Sequence, residues 1–328
     1  MTEEILRIED LKKCFGDRVV LDDIFLFVNK SEILGIIGSS GSGKTTLLKS
    51  MVGFIVPDSG KVLLKHSGGY ANLLKYDKYA KSKIGYAPQE PSFYPELTVE
   101  ENIRYFGMLF DLKGTEIEKR MNDALREMEL EEYKDNYAYT LSGGMRKRLG
   151  MIISTIHDPI LFVLDEPTSD LDPHSRKKVM EYLKRMKQQG KAIILASHHL
   201  DDIEALCDKV IFIHEGAIIK SDTPKNLKEQ YFVKEIRIEC LPGDYEAIVE
   251  NLDRDALDIQ RIYIDKYTRE LVIKTKNQEA VLQRLFKIIE ELKETIASLN
   301  TIDPKLEEVF ETILSERSEE NQSMVKEI

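Results

Sequence analysis

The chain has 328 residues, of which 42% are hydrophobic and 32% are charged. This is the composition of a folded globular protein, and it excludes collagen-like, low-complexity and disordered chains. The formal net charge of −11 disfavours a broad electrostatic surface for nucleic acid, so we expect no nucleic-acid partner.

Length and the distribution of apolar residues bound the architecture further. A chain of this size is expected to form two domains, because single cores usually stop growing below it. The segment MTEEILRIED carries early acids and no apolar stretch, which argues against a secretory signal. The longest apolar runs are strand-sized, and the three cysteines lack metal or disulfide spacing. We therefore expect a cytosolic protein that meets a membrane only through a partner.

Three continuous apolar runs alternate with helical patterns in the first part of the chain. They are EILGIIG at residues 32–38, ILFVLDE at 160–166 and AIILASH at 192–198. Such runs are typical of central strands in a parallel sheet, which is buried on both faces. Alternation of strands and helices predicts an α/β domain, and ligands of such sheets bind beyond the carboxyl ends of the strands.

The first of these strands runs into a phosphate-binding pattern, G-x-x-x-x-G-K-[ST], followed by a helical segment. The residues of this loop are Gly38, Ser39, Ser40, Gly41, Ser42, Gly43, Lys44, Thr45 and Thr46. In such loops backbone N–H groups wrap the phosphates, the lysine reaches the β and γ phosphates, and the hydroxyl after it binds Mg²⁺. A glycine-serine turn alone would explain neither the lysine nor the strand-to-helix setting.

Residues 98–135 lack strand patterns and carry an apolar stripe at helical spacing, which predicts a helical insertion. The stripe consists of Ile117, Met121, Leu125 and Met128. We interpret these side chains as core packing rather than as a ligand surface. Thr115 with Glu118 would form a capping box at the start of one helix.

Two further segments of this domain carry helix starts. TLSGGMRKRL, at residues 140–149, places two glycines before a basic segment, which is typical of half of a phosphate site. Asp172 followed by Pro173 can cap and open a helix that ends near Gly190.

Polar side chains end the second and third apolar strands. Asp165 can hold the shell of a Mg²⁺ ion, and Glu166 can orient or deprotonate an attacking water. His198 should emerge at the same edge of the sheet, where its imidazole could touch the γ-phosphate or that water. A metal cluster built from the histidine and aspartates around this position has no supporting ligands elsewhere in the chain.

The pattern changes near residue 225 and gives strand, helix, strand, strand, helix, strand. The strands are marked by alternation, as in Ile236, Ile238 and Cys240, and the last covers residues 296–302. This order predicts a ferredoxin-like split βαβ fold, which by itself says little about function. A last helix is expected around residues 305–314, before a polar tail.

In this chain order, the elements resemble the nucleotide-binding subunit of an ABC (ATP-binding cassette) transporter, over roughly residues 4–230. The segment that resembles the family signature is Leu141, Ser142, Gly143, Gly144 and Met145. The segment that resembles the D-loop is Ser169, Asp170, Leu171 and Asp172. Gln89 matches the glutamine loop and His198 the switch histidine.

The resemblance implies a P-loop NTPase fold of ABC type, with a mostly parallel sheet, an antiparallel arm and a helical subdomain at about residues 92–142. We therefore expect an ATP-binding cassette at residues 1–230. A C-terminal α+β, ferredoxin-like accessory domain would follow at 231–315, and a polar tail at 316–328.

The resemblance also implies how the two glycine-rich segments work together. In this family two subunits pair head to tail, and the signature of one covers ATP held by the other. Ser142, Gly143 and Gly144 would then contact the γ-phosphate of ATP bound by the partner's Lys44. ATP binding would close the dimer and hydrolysis would release it, which is a ligand-driven population shift.

Further family roles carry over to single residues. Phe15 matches the aromatic residue that stacks on adenine, although a phenylalanine of the core is the alternative at this position. Gln89 would sense Mg²⁺ or water and link the site to the helical insertion, where a membrane partner docks. Met145 departs from the usual glutamine, whose hydrogen bonds it cannot make, and Asp170 departs from a residue that is more often small. The LSGGM form resembles exporters of the daunorubicin-resistance type.

The sequence thus predicts an ATP hydrolase that uses Mg²⁺ and powers a separate integral membrane permease, in an exporter. It would act as a homodimer or with a similar ATPase subunit, peripherally on the cytoplasmic face of the cell membrane. The alternative is a non-transport ABC ATPase that clamps a soluble assembly. A single phosphate loop and the lack of sustained heptads weigh against that alternative. A third interpretation, compatible with the first, makes the C-terminal domain a sensor that gates the ATPase.

Overall fold

The computed structural model describes residues 3–66, 69–75, 81–231, 234–252, 256–265, 267–302 and 305–315. The chain divides into two compact units, Met1–Pro224 and Lys225–Ile328. The polar tail predicted at residues 316–328 lies outside the described residues.

The first unit combines two sheets with helices. Its strands are β1 (Glu4–Phe15), β2 (Arg18–Asn29), β3 (Ile33–Ile37), β4 (Ser59–His66), β5 (Gly69–Asn72), β6 (Ile84–Ala87), β7 (Leu161–Asp165), β8 (Ala192–Ala196), β9 (Lys209–His214) and β10 (Ala217–Asp222). Its helices are α1 (Lys44–Met51), α2 (Val99–Leu109), α3 (Gly114–Glu127), α4 (Gly143–Thr155), α5 (Pro173–Gln188) and α6 (Leu200–Leu206).

The central sheet has the strand order β10-β9-β3-β8-β7-β6. Strand β3 pairs in parallel with β8 and β9, β7 pairs in parallel with β8 and β6, and β10 is the antiparallel edge. Every residue of β3, β7 and β8 is buried. The continuous apolar runs therefore form central parallel strands, as predicted, because both faces of these strands are covered.

A second sheet, of order β2-β1-β4-β5, is antiparallel throughout. Its inward residues share one core with β3 and α1, including Leu6 and Ile8 of β1, Leu34 of β3, and Leu47 and Leu48 of α1. This sheet is the antiparallel arm that the resemblance implied. The α1 helix, which follows the phosphate loop, is thus held by apolar contacts on its inner side.

Helices α2 and α3 form the predicted insertion between β6 and β7. The apolar stripe of α3 and the residue after it is buried, as expected for core packing: Ile117, Met121, Leu125 and Met128 are each at most 2% exposed. The predicted capping box at Thr115 is wrong, because the N-cap of α3 is Lys113, two residues earlier, and its side chain makes no capping hydrogen bond. The box lies at the start of α2, where Thr98 and Glu101 satisfy each other's backbone N–H groups.

The second unit contains an antiparallel sheet of order β12-β13-β11-β14. Its elements are α7 (Pro224–Tyr231), β11 (Lys234–Leu241), α8 (Tyr245–Glu250), β12 (Ile259–Ile264), β13 (Leu271–Thr275), α9 (Gln278–Leu292) and β14 (Thr295–Ile302). Strand β11 lies between β13 and β14, which is the ferredoxin-like arrangement. Residues 306–315 are helical.

The alternating residues of the second unit meet its helices in one core. Ile236, Ile238 and Cys240 of β11 pack with Val281 and Leu285 of α9. The three cysteines of the chain are free thiols. No helix of the described ranges is both long and apolar enough to span a membrane.

Strand β6 is held close to α4, and one glycine makes this approach feasible. A Cβ atom on Gly85 would collide with the backbone oxygen of Ser154 and would lie 3.0 Å from Pro159. We predict that Gly85→Ala lowers the free energy of unfolding by about 1–3 kcal/mol, because the backbone itself must shift. Urea denaturation of the full chain measures the change.

The matched control is Gly114→Ala at the first position of α3, where an added Cβ meets nothing within 4 Å. Alanine is the better helix former, so this variant should be at least as stable as the parent chain. Equal denaturation midpoints for the two variants would contradict the steric account.

Candidate nucleotide-binding site

The phosphate loop connects β3 to α1, and two of its glycines are required by geometry. Gly43, which precedes α1, has a φ of 106°, a conformation that side chains with a Cβ disfavour. A Cβ on Gly38 would lie 2.5 Å from the backbone oxygen of Ile213. The loop therefore keeps its backbone close to β9 and free to turn into the helix, with N–H groups at the helix start.

Lys44 folds back over this loop. Its ammonium group donates hydrogen bonds to the backbone oxygens of Gly38, at 2.7 Å, and Ser39, at 3.1 Å. Burial lowers the pKa of Lys44, while the negative charges of Glu166 and Asp165 act in the opposite direction. The loop thus holds a cation that faces the two carboxylates.

The remaining residues of the loop differ in exposure. Ser39, Ser40, Gly41 and Thr45 are exposed, whereas Ser42 is buried. The Ser42 hydroxyl has no hydrogen-bond partner among the described residues. Thr46 accepts a hydrogen bond from Ser50 through its backbone oxygen, within α1.

Asp165 ends β7 beside the phosphate loop and is 3% exposed. Burial raises the pKa of its carboxyl group, and a hydrogen bond from the Thr45 hydroxyl opposes that rise. A hydroxyl and a carboxylate oxygen in contact suit Mg²⁺, which prefers oxygen ligands. Gln89 is exposed just after β6, which leaves the sheet at the same edge because Ala87 is paired with Leu164.

Glu166 follows with a left-handed backbone, φ 51°, an uncommon conformation for a residue with a side chain. Its carboxylate Oε2 accepts a hydrogen bond from the His198 backbone N–H at 3.2 Å and lies 2.8 Å from His198 Nδ1. The Glu166 side chain is buried, whereas that of His198 is 61% exposed. The predicted base and the predicted switch histidine therefore contact each other.

The signature residues lie at the start of α4, far along the sequence from the phosphate loop. Ser142 is the N-cap, and its hydroxyl accepts from the Met145 N–H at 3.3 Å. A Cβ on Gly143 would meet nothing within 4 Å, whereas one on Gly144 would lie 2.9 Å from Ser175 Oγ. Gly143 therefore faces open space and Gly144 lets α4 approach α5. Leu141 is buried.

The D-loop joins β7 to α5. Ser169 is buried, Asp170 is exposed with a φ of 58°, and Leu171 is half-buried. Asp172 caps α5 by accepting from the His174 and Ser175 N–H groups, as predicted from its position before Pro173. The predicted helix start is confirmed.

One contact of this region was not found from the sequence. Lys147 of α4 donates hydrogen bonds to the backbone oxygen and the hydroxyl of Ser169. The basic residues after the signature were the sequence signal for this contact.

Phe15, at the end of β1, is 51% exposed, with the Lys13 ammonium 5.2 Å from its ring centroid. A core role for this phenylalanine is thereby excluded.

A groove of about 1030 Å³ lies between β6, α2 and α4. Its apolar lining includes Val52, Phe54, Ile84, Tyr86, Pro88, Pro91, Phe106, Leu109, Phe110, Met151, Ile153 and Pro167. Lys147 and Asp165 also line the groove, so it extends to the carboxyl end of β7. His157 stacks on Phe110 with ring centroids 3.7 Å apart, and burial lowers its pKa to about 4.

A phosphate loop between a buried strand and a helix, with carboxylates at the end of a neighbouring strand, defines a P-loop nucleoside triphosphatase. A family model described as ABC transporter matches residues 21–169. The chain is 30% identical over 306 residues to the linearmycin resistance ATP-binding protein LnrL of Bacillus subtilis, covering 93% of this chain and 97% of that protein. The chain belongs to the ABC transporter family of ATP-binding proteins.

Two further comparisons agree with this assignment. The Nod factor export ATP-binding protein I of Ralstonia nicotianae is 36% identical over 225 residues, which cover 68% of each chain. A solved ATP-binding subunit of an ABC transporter superimposes with a TM-score of 0.64 at 29% identity, over 69% of this chain and 93% of that one. The predicted fold of ABC type is confirmed.

We predict that Lys44→Ala weakens ATP binding by about 10- to 200-fold, because hydrogen bonds to charged groups contribute about 1.5–3 kcal/mol. Fluorescence titration with an ATP analogue measures the dissociation constant. Lys61→Ala, which removes an exposed lysine paired with Glu9, is the control and should bind ATP as the parent chain does. Equal affinity in the two variants would remove Lys44 from the binding site.

Proposed function

We propose that the chain is the ATP-hydrolysing subunit of an ABC exporter, and that it drives a separate integral membrane permease. The proposal is supported by relatives named for linearmycin resistance and for Nod factor export. The match to the first of these spans nearly the whole of both chains, including the second unit. The observation that carries hydrolysis is the cluster of Lys44, Thr45, Asp165, Glu166 and His198 at one edge of the parallel sheet.

The loop residues bind and orient the triphosphate. Backbone N–H groups of residues 38–46 donate hydrogen bonds to its oxygens, Lys44 exchanges its backbone partners for the β and γ phosphates, and Phe15 supplies an exposed ring for the adenine. Thr45, Asp165 and Gln89 would hold Mg²⁺, which neutralises charge on the phosphates when it is bound. Because phosphoryl transfer depends mainly on position and charge, these contacts prepare the reaction.

Glu166 is the proposed base. Its carboxylate is fixed by the backbone N–H of His198 and lies against that imidazole, so it is aimed at one place beyond the ends of β7 and β8. It would accept a proton from the attacking water, while His198 turns its exposed ring toward the γ-phosphate. The left-handed backbone of Glu166 is consistent with a residue held for function rather than for packing.

The signature is proposed to complete the site of a second subunit. Ser142 and Gly143 are exposed and open, so a phosphate could approach the start of α4, and Gly144, Leu141 and Met145 support that start from within. The D-loop residues Ser169, Asp170, Leu171 and Asp172 lie beside it. A head-to-tail dimer, of identical or similar ATPase subunits, would place each signature on the other subunit's ATP.

The groove between β6, α2 and α4 is the proposed docking surface for the permease. Its apolar lining and its size suit the apolar side of one helix. Pro88 and Pro91, on either side of Gln89 in the chain, line the groove, so ATP binding and docking would both act on this segment. The subunit would then act at the cytoplasmic face of the membrane, with residues 1–230 as the cassette and 231–315 as an accessory domain.

We predict that Glu166→Gln binds ATP but hydrolyses it about 100-fold more slowly or worse, since a positioned base contributes about 10²–10⁴-fold. The amide keeps the shape of the side chain and removes the base, so ATP should hold the dimer closed. Phosphate release and size-exclusion chromatography with ATP measure the two effects.

Glu181→Gln, on an exposed turn of α5, is the control and should hydrolyse ATP at the parent rate. If Glu166→Gln also turned over at the parent rate, Glu166 would not be the base.

The docking proposal predicts that a tagged full chain, purified from mildly solubilised native membranes, retains a multi-span protein in stoichiometric yield. Leu109→Glu should lose that protein, because a carboxylate in the groove would be desolvated on docking. Met108→Glu is a matched control: it is the adjacent residue with nearly equal exposure, 59% against 58%, and it does not line the groove. Mass spectrometry identifies the retained protein.

Retention by both variants would refute docking in the groove. Recovery of a soluble assembly, with no membrane protein, would favour the ATP clamp over the transporter.

A further inference from the structure

Helix α4 carries, on its second turn, a lysine that connects it to the D-loop. The Lys147 ammonium donates to the Ser169 backbone oxygen at 3.0 Å and to the Ser169 hydroxyl at 2.5 Å. Lys147 is half-buried and Ser169 is 4% exposed. The contact is therefore sheltered from water, unlike the exposed ion pairs of α5.

The Ser169 hydroxyl also connects Lys147 to Glu166, the residue that follows β7. It donates to the backbone oxygen of Glu166 at 3.0 Å while it accepts from Lys147. A hydroxyl has one proton and two lone pairs, so it can do both at once. Together with the bonds between the Glu166 carboxylate and His198, these contacts connect the signature helix to the switch histidine through Glu166, whose backbone oxygen and carboxylate each take part.

The carboxylates around Lys147 favour a cation at this point. Asp170, Glu166, Glu90 and Asp165 all attract the Lys147 ammonium, and their attraction opposes the effect of burial, which lowers the pKa of Lys147. These carboxylates come from three different segments, after β6, at the end of β7 and in the D-loop.

We propose that Lys147 is a positioning residue for ATP hydrolysis, which holds the D-loop and the backbone of Glu166 in register with the signature helix. The inference rests on the proposed function of this site. Lys147 touches no reacting atom. Its consequence is that a shift of α4, when the signature engages the partner subunit's nucleotide, reaches Glu166 of the same chain through the side chains of Lys147 and Ser169.

The experiment separates positioning from simple stabilisation. In the full chain, Lys147→Met keeps the length and the apolar stem but removes the charge. We expect kcat for ATP to fall about 10-fold or more, while the dissociation constant for ATP stays within about twofold, because the phosphate loop is untouched. Lys147→Arg restores a cation and should recover most of kcat. Lys177→Met, which removes an exposed lysine of α5, should leave both quantities unchanged.

A double-mutant cycle tests the path. Ser169→Ala breaks the hydroxyl link between Lys147 and Glu166, so it should also lower kcat at unchanged ATP affinity. The double variant Lys147→Met with Ser169→Ala should be little slower than Lys147→Met alone, since both changes break the same chain of bonds. Fully additive losses, or no recovery in Lys147→Arg, would overturn the inference.

Two results would decide the remaining cases. If Lys147→Met hydrolyses ATP at the parent rate while Glu166→Gln is inactive, Lys147 does not position the site and the ATPase assignment still stands. If Lys147→Met fails to fold, the decision passes to Lys147→Arg and Ser169→Ala, and parent kcat in Ser169→Ala would overturn the inference.

Discussion

The structure depends on one electrostatic constraint: a lysine and two carboxylates share a partly buried edge of a parallel sheet. Burial disfavours the charged forms of Lys44 and Asp165, lowering the pKa of the first and raising that of the second, and the attraction between the two opposite charges opposes both shifts. Parallel pairing brings the ends of β3, β7 and β8 to the same edge, so the topology itself creates this meeting. The parallel pairing of these strands therefore also positions the loops that follow them.

The glycines around this edge serve close approach rather than flexibility. Gly38 allows the phosphate loop to contact β9, and Gly144 allows α4 to lie against the capped start of α5. Asp172, which provides that cap, belongs to the D-loop. The signature and the D-loop are thus packed as one surface, and Ser169 joins that surface to Glu166 of the charged edge. Under the proposed function, one chain supplies both halves of a site that a second subunit would complete.

Much of this arrangement could be read from the sequence, because its strongest signals are local. Buried strands appear as continuous apolar runs, and the phosphate loop, the strand-end acids and the Asp172 cap each occupy a few consecutive residues. The failures have a common cause. Thr98 and Thr115 both begin a T-x-x-E pattern, and only pairing of the α2 start with residues 134–137 selects the first. The Lys147 contact to Ser169 spans 22 residues and depends on helix packing, which no local pattern encodes. The antiparallel sheet of the first unit was predicted from the family resemblance, and not from an alternation of apolar and polar residues.

The groove beside β6 has a thermodynamic consequence. Lys147 and Asp165 are part of its wall. Asp165 belongs to the charged edge, and the carboxylates of that edge attract Lys147, so an occupant that shifts these side chains would alter the free energy of nucleotide binding. Linkage then requires reciprocity: the factor by which an occupant changes ATP affinity equals the factor by which ATP changes the affinity for that occupant. Because the two sites share side chains, ATP binding and binding in the groove would form one thermodynamic cycle. No long path of contacts through the core is needed for this coupling.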